Sequence, residues 1–535
     1  MNVSDVIISQ LEKEGVRWIF GVPGEENIDF LEAVERSSIE FIVAKHEQTA
    51  AMMAGMVGKL SGTVGVCLST LGPGATNMLT GVANATADAF PLIAISGQTH
   101  TNKMHQEAHQ YIDLVSLFKP VTKKSETIRE PETAQEIVQS AIQTAKAEKP
   151  GAVFLELPEN VAELEVTRMA EDRPPIQATV QADDHTIQSV VEQINKAERP
   201  LVLVGNGVIR DHAHQEMITF AEAFQAPVVE TFMGKGAVQW SHPLHVMSVG
   251  MKGEDIVDQA LLHADLIVTV GYDYIEYPPA KWNKKATPIV HIHHDSPAID
   301  KHYPVVATIM GSLKQNLKRI GLITDQNKKN IDETFKQTRQ AIRSEWEQAQ
   351  HNQSYPLTPS KILYELRDAL PEDGIVISDV GAHKLWLGRM FPVHQPHTCF
   401  ISNGLATMGT ALPQAIGAQL VHPSRPIVAV CGDGGFQMNV QELETAVRLQ
   451  LPIIIMVWRD GGYGLIEWEQ YTKHHHAHHI SFQNPDLIDL AHAYGLEALR
   501  IDKALDLKPM LLQAIKMKKP VLIDCPVQYQ IEGKE

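Results

Sequence analysis

Cysteine is scarce. The chain has four, Cys67, Cys399, Cys431 and Cys525, and none stand at the short spacings of metal sites or disulfide frameworks, so a reduced, cytoplasmic protein is expected. Basic residues are also in deficit: 46 Lys and Arg against 64 Asp and Glu leave a formal net charge of −18. That balance argues against a polyanionic nucleic-acid partner, although a local site can carry the opposite sign and take an anionic substrate. No apolar run reaches membrane-spanning length, and residues 1–16 are amphipathic and helical in pattern rather than a signal peptide. What remains is ordinary for a globular chain, 44% hydrophobic and 21% charged. At 535 residues it is too long for one core, and three domains fit.

The most informative stretch runs from Cys431 to Gln470. An apolar run, 426–431, reads as a buried strand and ends in Gly432, Asp433, Gly434 and Gly435. A helical pattern with Leu443, Ala446, Val447 and Leu449 on one face follows. A second apolar run, 453–458, then delivers Asp460, Gly461 and Gly462. This is a β-α-β unit with two acidic residues at the carboxyl ends of neighbouring parallel strands, where open α/β sheets bind ligands. Glycines there let backbone groups approach closely. Two carboxylates and a carbonyl leave open positions, which suits Mg²⁺ shared with phosphate oxygens. Taken alone, the 432–435 turn is most simply a strand-to-helix connection; the second acidic turn favours the metal.

Elsewhere the chain alternates short apolar runs with helical patterns, the signature of α/β domains with parallel sheets. The first domain is placed at 1–170. Its strands start at Trp18 (ending in the Pro23–Gly24 turn), Phe41, Val64, Leu92 and Val153, and its candidate residues include Glu47 at the start of a small-residue helix. Burial beside Ala50, Met52 and Met53 disfavours the Glu47 anion, whereas the helix dipole favours it. A polar, proline-bearing linker near 171–184 leads to a second domain at 185–325, with strands at 200–204, 226–229, 266–271 and 288–292. Gly205 and Gly207 after its first strand hint at a dinucleotide site, but the third glycine of that fingerprint is missing. Residues 325–357 read as a connecting helix and linker, and the third domain spans 358–535. The first and third domains share architecture without a letter-level repeat.

These features resemble the thiamine diphosphate (ThDP) enzymes. The family has GDG, then a second metal ligand after the next strand, usually Asn, and a backbone-carbonyl ligand two residues on; here those positions are Asp433, Asp460 and Gly462. Asp460 in place of Asn is similar to the catabolic acetolactate synthases. The resemblance implies three doubly wound parallel-sheet domains: pyrimidine-binding, central Rossmann-like and diphosphate-binding. It implies that Glu47 hydrogen-bonds the cofactor's aminopyrimidine and favours the imino tautomer that takes the thiazolium proton. Met408 would fill the bend of the cofactor, with Ala406 gripping the pyrimidine. Gly381, His383, Gly432, Gly434, Gly435, Tyr463 and Gly464 would meet the diphosphate side. His109 and Gln110 match an active-site pair near the reacting carbon; Pro23, Gly24, Gly72 and Gln98 match strand-end loops around the pyrimidine and substrate.

The segment 271–283 lacks the arginine-rich wording of the flavin-dependent synthases, so no functional FAD is expected. It also offers no obvious arginine for the second keto acid. The position nine residues past Asp460 is Glu469, preceded by Trp468, which leaves acceptor preference open between pyruvate and 2-ketobutyrate. The tract from His474 to His479 reads as a solvated loop rather than a metal tract. The implied activity is ThDP- and Mg²⁺-dependent joining of two pyruvates to 2-acetolactate, in a homo-oligomer of at least a dimer, with a tetramer expected. The alternatives are another ThDP decarboxylase or carboligase, and a non-catalytic nucleotide-binding regulatory or redox protein.

Overall fold

The computed structural model describes residues 1–168, 180–251, 255–322 and 331–529. The named strands form three six-stranded sheets, and every pairing between them is parallel. The first holds β1 (Trp18–Gly21), β2 (Glu40–Val43), β3 (Gly65–Ser69), β4 (Leu92–Gln98), β5 (Lys124–Thr127) and β6 (Ala152–Pro158). The second holds β7 (Pro200–Val204), β8 (Val228–Glu230), β9 (His245–Ser248), β10 (Leu266–Val270), β11 (Ile289–His293) and β12 (Val305–Met310). The third holds β13 (Ile375–Ser378), β14 (Cys399–Ile401), β15 (Ile427–Gly432), β16 (Ile453–Arg459), β17 (Glu497–Arg500) and β18 (Val521–Pro526). Central strands are apolar from end to end because helices cover both faces of a parallel sheet; β3, β4, β7 and β10 are buried throughout.

Strand order separates the domains. The first sheet runs β2-β1-β3-β4-β6-β5 and the third β14-β13-β15-β16-β18-β17, the same connectivity twice. The central sheet runs β12-β11-β10-β7-β8-β9, the doubly wound order of dinucleotide-binding folds. Two elements differ from the sequence reading. The strand expected from Ala226 starts at Val228, after Pro227, which has no N–H for a ladder. The helix expected after Asp433 is broken into Asp433–Met438, a 3₁₀ turn Val440–Glu442 and Leu443–Arg448. The break falls at Asn439, whose φ of −133° is not helical and whose amide donates to the Gly409 carbonyl at 2.7 Å.

The first and third domains share one apolar core, in which Met53 and Ala54 of helix Glu47–Ser61 meet Ala411 and Ala415 of helix Ala411–Val421. Full burial of a side chain such as Met53 contributes about 1.5–3 kcal/mol. The helices touch backbone to backbone: a Cβ on Gly417 would lie 2.4 Å from the Met53 carbonyl oxygen. Beside them the buried Glu442 accepts from the Lys45 N–H at 3.0 Å and from the hydroxyls of Thr49 and Thr445, each at 2.6 Å. All four cysteines are buried and free. Among the described residues no helix is long and apolar enough to cross a membrane.

Candidate active site

The third sheet reverses direction between β13 and β15, and the strand ends there open into a cavity of about 200 Å³. Such a switch point is where doubly wound sheets hold ligands. Asp433 is the first residue of the helix after β15 and is completely buried. Three donors hold its carboxylate. The Gly434 N–H reaches Oδ1 at 2.9 Å, the Gly461 N–H reaches Oδ2 at 2.8 Å, and the Asn484 amide reaches Oδ2 at 2.7 Å. Asp460 follows β16 and keeps part of its surface open. Lost hydration and the adjacent Asp433 charge push its carboxyl up to about 8. Two carboxylates facing one another favour a proton or a cation between them.

The cavity wall collects Gly381 and His383 after β13, Ala406 and Met408 after β14, Gly432–Gly435 after β15, and Asp460 with Gly462–Ile466 after β16. Met408 is half-buried and faces the cavity, so it is not an ordinary core methionine. Ala406 sits at φ 57°, a left-handed conformation that a non-glycine residue adopts only under constraint. The wall is closely fitted: a Cβ on Gly464 would lie 2.7 Å from Asp460 Oδ2, and one on Gly434 would lie 2.9 Å from the Tyr463 ring, so either substitution would displace those side chains.

Several contributors were not singled out from the sequence. Asn484 and Tyr529 reach the site from far along the chain, and Leu465 and Ile466 line it beside the expected Gly464. Asp379 is fully buried beneath it. Its Oδ1 accepts from the N–H groups of Val380, Gly409 and Thr410 at 2.8, 2.8 and 3.2 Å, while Oδ2 has no partner. Burial pushes it up to about 7. It ties the loop after β13 to the segment carrying Ala406 and Met408. Trp468 packs tilted against Trp386, 5.5 Å between ring centres, and neither it nor Glu469 lines the cavity.

The residues fit a hard divalent cation carrying a diphosphate. Burial lowers His383 to about 3, so its ring is neutral, and its Nε2 lies unpartnered in the wall. Among the described residues no group of three or more His, Cys, Asp or Glu side chains is placed to hold a metal. A cation at Asp433 and Asp460 would therefore draw its remaining oxygens from backbone, water or a ligand, as Mg²⁺ does. The tract His474–His479 forms no such group either; its rings stand 4.7 Å apart at His476 and His478.

The first-domain candidates gather elsewhere, around the loop after β3. Glu47 is buried; its Oε2 accepts from the Asn77 amide at 3.0 Å, and a Cβ on Gly74 would come within 3.2 Å of Oε1. Gly72, at φ 52°, leaves room for Gln110, whose carbonyl oxygen would be 2.6 Å from a Cβ there. Gly24 packs against Thr70, and Pro23, His109 and Gln110 are exposed. Gln98, at the end of β4, is fully buried. Its amide donates to Glu156 at 2.8 Å and to the Ile112 carbonyl at 3.1 Å, which leaves no free donor. None of these first-domain residues lines the third-domain cavity.

In the central domain, the Gly205 loop is packed against a side chain from beyond β10. The carboxylate of Glu276 occupies the turn after β7, accepting from the Asn206 N–H at 2.9 Å, the Asp273 N–H at 3.0 Å and the Thr231 hydroxyl. A Cβ on Gly205 would meet Glu276 Oε1 at 2.7 Å.

Three family models match the chain in order. They are described as thiamine pyrophosphate enzyme, N-terminal TPP binding domain (residues 1–117), central domain (187–320) and C-terminal TPP binding domain (379–525). The chain is 33% identical to the acetolactate synthase of Bacillus subtilis (strain 168), over 98% of this chain and 93% of that one. It is 32% identical to the catabolic acetolactate synthase of Raoultella terrigena, over 98% and 95%. The acetolactate synthase large subunit of Lactococcus lactis is 30% identical, over 97% and 92%.

Proposed function

Since the chain belongs to the thiamine pyrophosphate enzyme family and is acetolactate synthase-like in sequence, we propose that it joins two pyruvates to give 2-acetolactate and CO₂. The observation that carries this reading is the Asp433–Asp460 pair opening onto the switch-point cavity. Asp433, Asp460 and the Gly462 carbonyl would hold Mg²⁺ as a template for the diphosphate. When bound, thiamine diphosphate supplies the nucleophilic carbon and the electron sink for decarboxylation of a 2-keto acid.

The chain's own residues prepare that chemistry. The Asp433 side chain is held by three donors, and Asn484 fixes its orientation. Met408 and the glycine wall shape the cavity and exclude water. Glu47 has one oxygen occupied by Asn77, which leaves Oε1 as the atom that would hold or release a proton beside a bound cofactor. The cavity is lined from the third domain alone. This supports sites completed by Glu47 from a second copy, hence a homodimer at minimum and a tetramer as a pair of dimers. Independence from flavin is supported by Glu276, whose carboxylate takes the place a dinucleotide phosphate would need at the Asn206 N–H.

The test is product analysis with purified protein, pyruvate, Mg²⁺ and ThDP, with no flavin added. Acetolactate that requires ThDP, and that falls by roughly 10²–10⁴-fold with Glu47→Gln, is expected. Acetaldehyde alone would move the enzyme to the decarboxylases. Absence of ThDP binding, or full activity from a monomer, would refute the site as drawn.

A further inference from the structure

A second cavity lies where all three domains meet. Its volume is about 20 Å³, and Lys59, Lys235, His397 and Gln414 are among its walls. Lys59 comes from the first domain, Lys235 from the central one, and His397 and Gln414 from the third. Gln414 is 2% exposed, yet its Nε2 has no acceptor. The Nε2 of His397 is buried without a partner as well. Lys59 has no hydrogen-bond acceptor among the described residues; the Phe90 ring, 5.8 Å from its Nζ, is its neighbour. Lys235 is partly compensated, with Ser248 Oγ at 3.2 Å and Glu230 at 3.6 Å, and keeps a third hydrogen. No carboxylate lines this cavity.

Two lysines and the unpartnered Gln414 amide therefore line a space whose other polar side chains, Asn206, His397 and Ser402, carry no negative charge, and a buried donor left unsatisfied costs about 1–3 kcal/mol. The surroundings share the sign. Beside burial, the basic Lys59 and Arg425 act on His397. The acids within reach of Lys59, which are Glu148, Asp88 and Asp273, stand outside the walls. Burial lowers Lys59 to about 8, so it still carries its charge at neutral pH. Water would accept from the donors but leave the positive charge uncompensated. The volume exceeds the need of one water and is far too small for a nucleotide.

We infer that this junction is a binding site for a compact inorganic anion, of the halide or orthophosphate class, held by Lys59, Lys235 and Gln414. The site is separate from the diphosphate cavity and does not depend on the reaction proposed above. An anion there joins the helix that begins at Glu47 to the helix that follows Met408. Its binding should therefore stiffen the contact between the first and third domains of the chain.

The experiment is thermal unfolding of the full-length protein with ThDP and Mg²⁺ present. Chloride or phosphate would be titrated against gluconate at constant ionic strength. A saturable rise in Tm of roughly 1–3 °C is expected, lost in Lys59→Met and in Gln414→Leu and retained in Lys59→Arg and Asp433→Asn. The Asp433 variant separates this response from any phosphate binding in the diphosphate cavity. If Lys59→Met does not fold, Gln414→Leu carries the comparison. A bromide soak should place an anomalous peak between Lys59 and Gln414. A rise that never saturates, or that is equal in wild type and Gln414→Leu, would overturn the site, as would a water refined there in the presence of bromide. Whichever anion saturates first identifies the class.

Discussion

Asp460→Asn tests the paired carboxylates directly. The Asp460 carboxyl is raised from 3.8 to about 8 by burial and by Asp433. Its folded value lies above its unfolded one, so the native state holds the proton more tightly. Stability should therefore fall as pH rises from about 4 to about 8, and the full penalty applies above that range. At face value the rise corresponds to about 5–6 kcal/mol. Asp460 is exposed by its accessible surface, so the Asp433 charge rather than lost hydration carries the effect, and solvent screening brings the expected penalty to about 1–3 kcal/mol. Asparagine keeps the shape and removes the charge. In metal-free protein, Asp460→Asn should unfold roughly 1–4 °C above wild type at pH 8.5 and draw level with it only near pH 4. Added Mg²⁺ should reverse the order at pH 8.5, because wild type then gains a charge pair that the variant lacks. The assay is thermal unfolding at the two pH values, with EDTA and then with excess Mg²⁺. A variant no more stable than wild type at pH 8.5 without metal would refute the repulsion and the shared site built on it.

Asn484→Ala removes the amide that orients Asp433 Oδ2; Mg²⁺ affinity by calorimetry should weaken about 10–100-fold while the fold persists. Gly435→Ala would put a methyl 2.2 Å from Asp379 Oδ2 in a buried setting. A loss of about 1–3 kcal/mol in denaturant unfolding is expected, together with weaker ThDP binding. Glu276→Ala would strand the buried N–H groups of Asn206 and Asp273, at a cost of about 1–3 kcal/mol each, whereas Glu276→Gln should retain most of the stability.

The local order of this protein is legible in its letters. Apolar runs of strand length ending in glycine and acid specify parallel strands with functional carboxyl ends, because a strand covered by helices on both faces must be apolar throughout. The right-handed crossover rule then sets Asp433 and Asp460 side by side, and the three-domain α/β class follows from the same alternation. What the letters do not hold is the company those residues keep. Asn484 on Asp433, Asp379 beneath the Gly409 segment, Glu276 on the Asn206 N–H and the meeting of Lys59 with Gln414 all join residues far apart in sequence. Neither helical nor strand periodicity constrains such pairs. Only the tertiary structure decided that Glu47 lies outside the cavity that Asp433 lines, because the packing of helix Glu47–Ser61 on helix Ala411–Val421 is set by how two whole domains share one core.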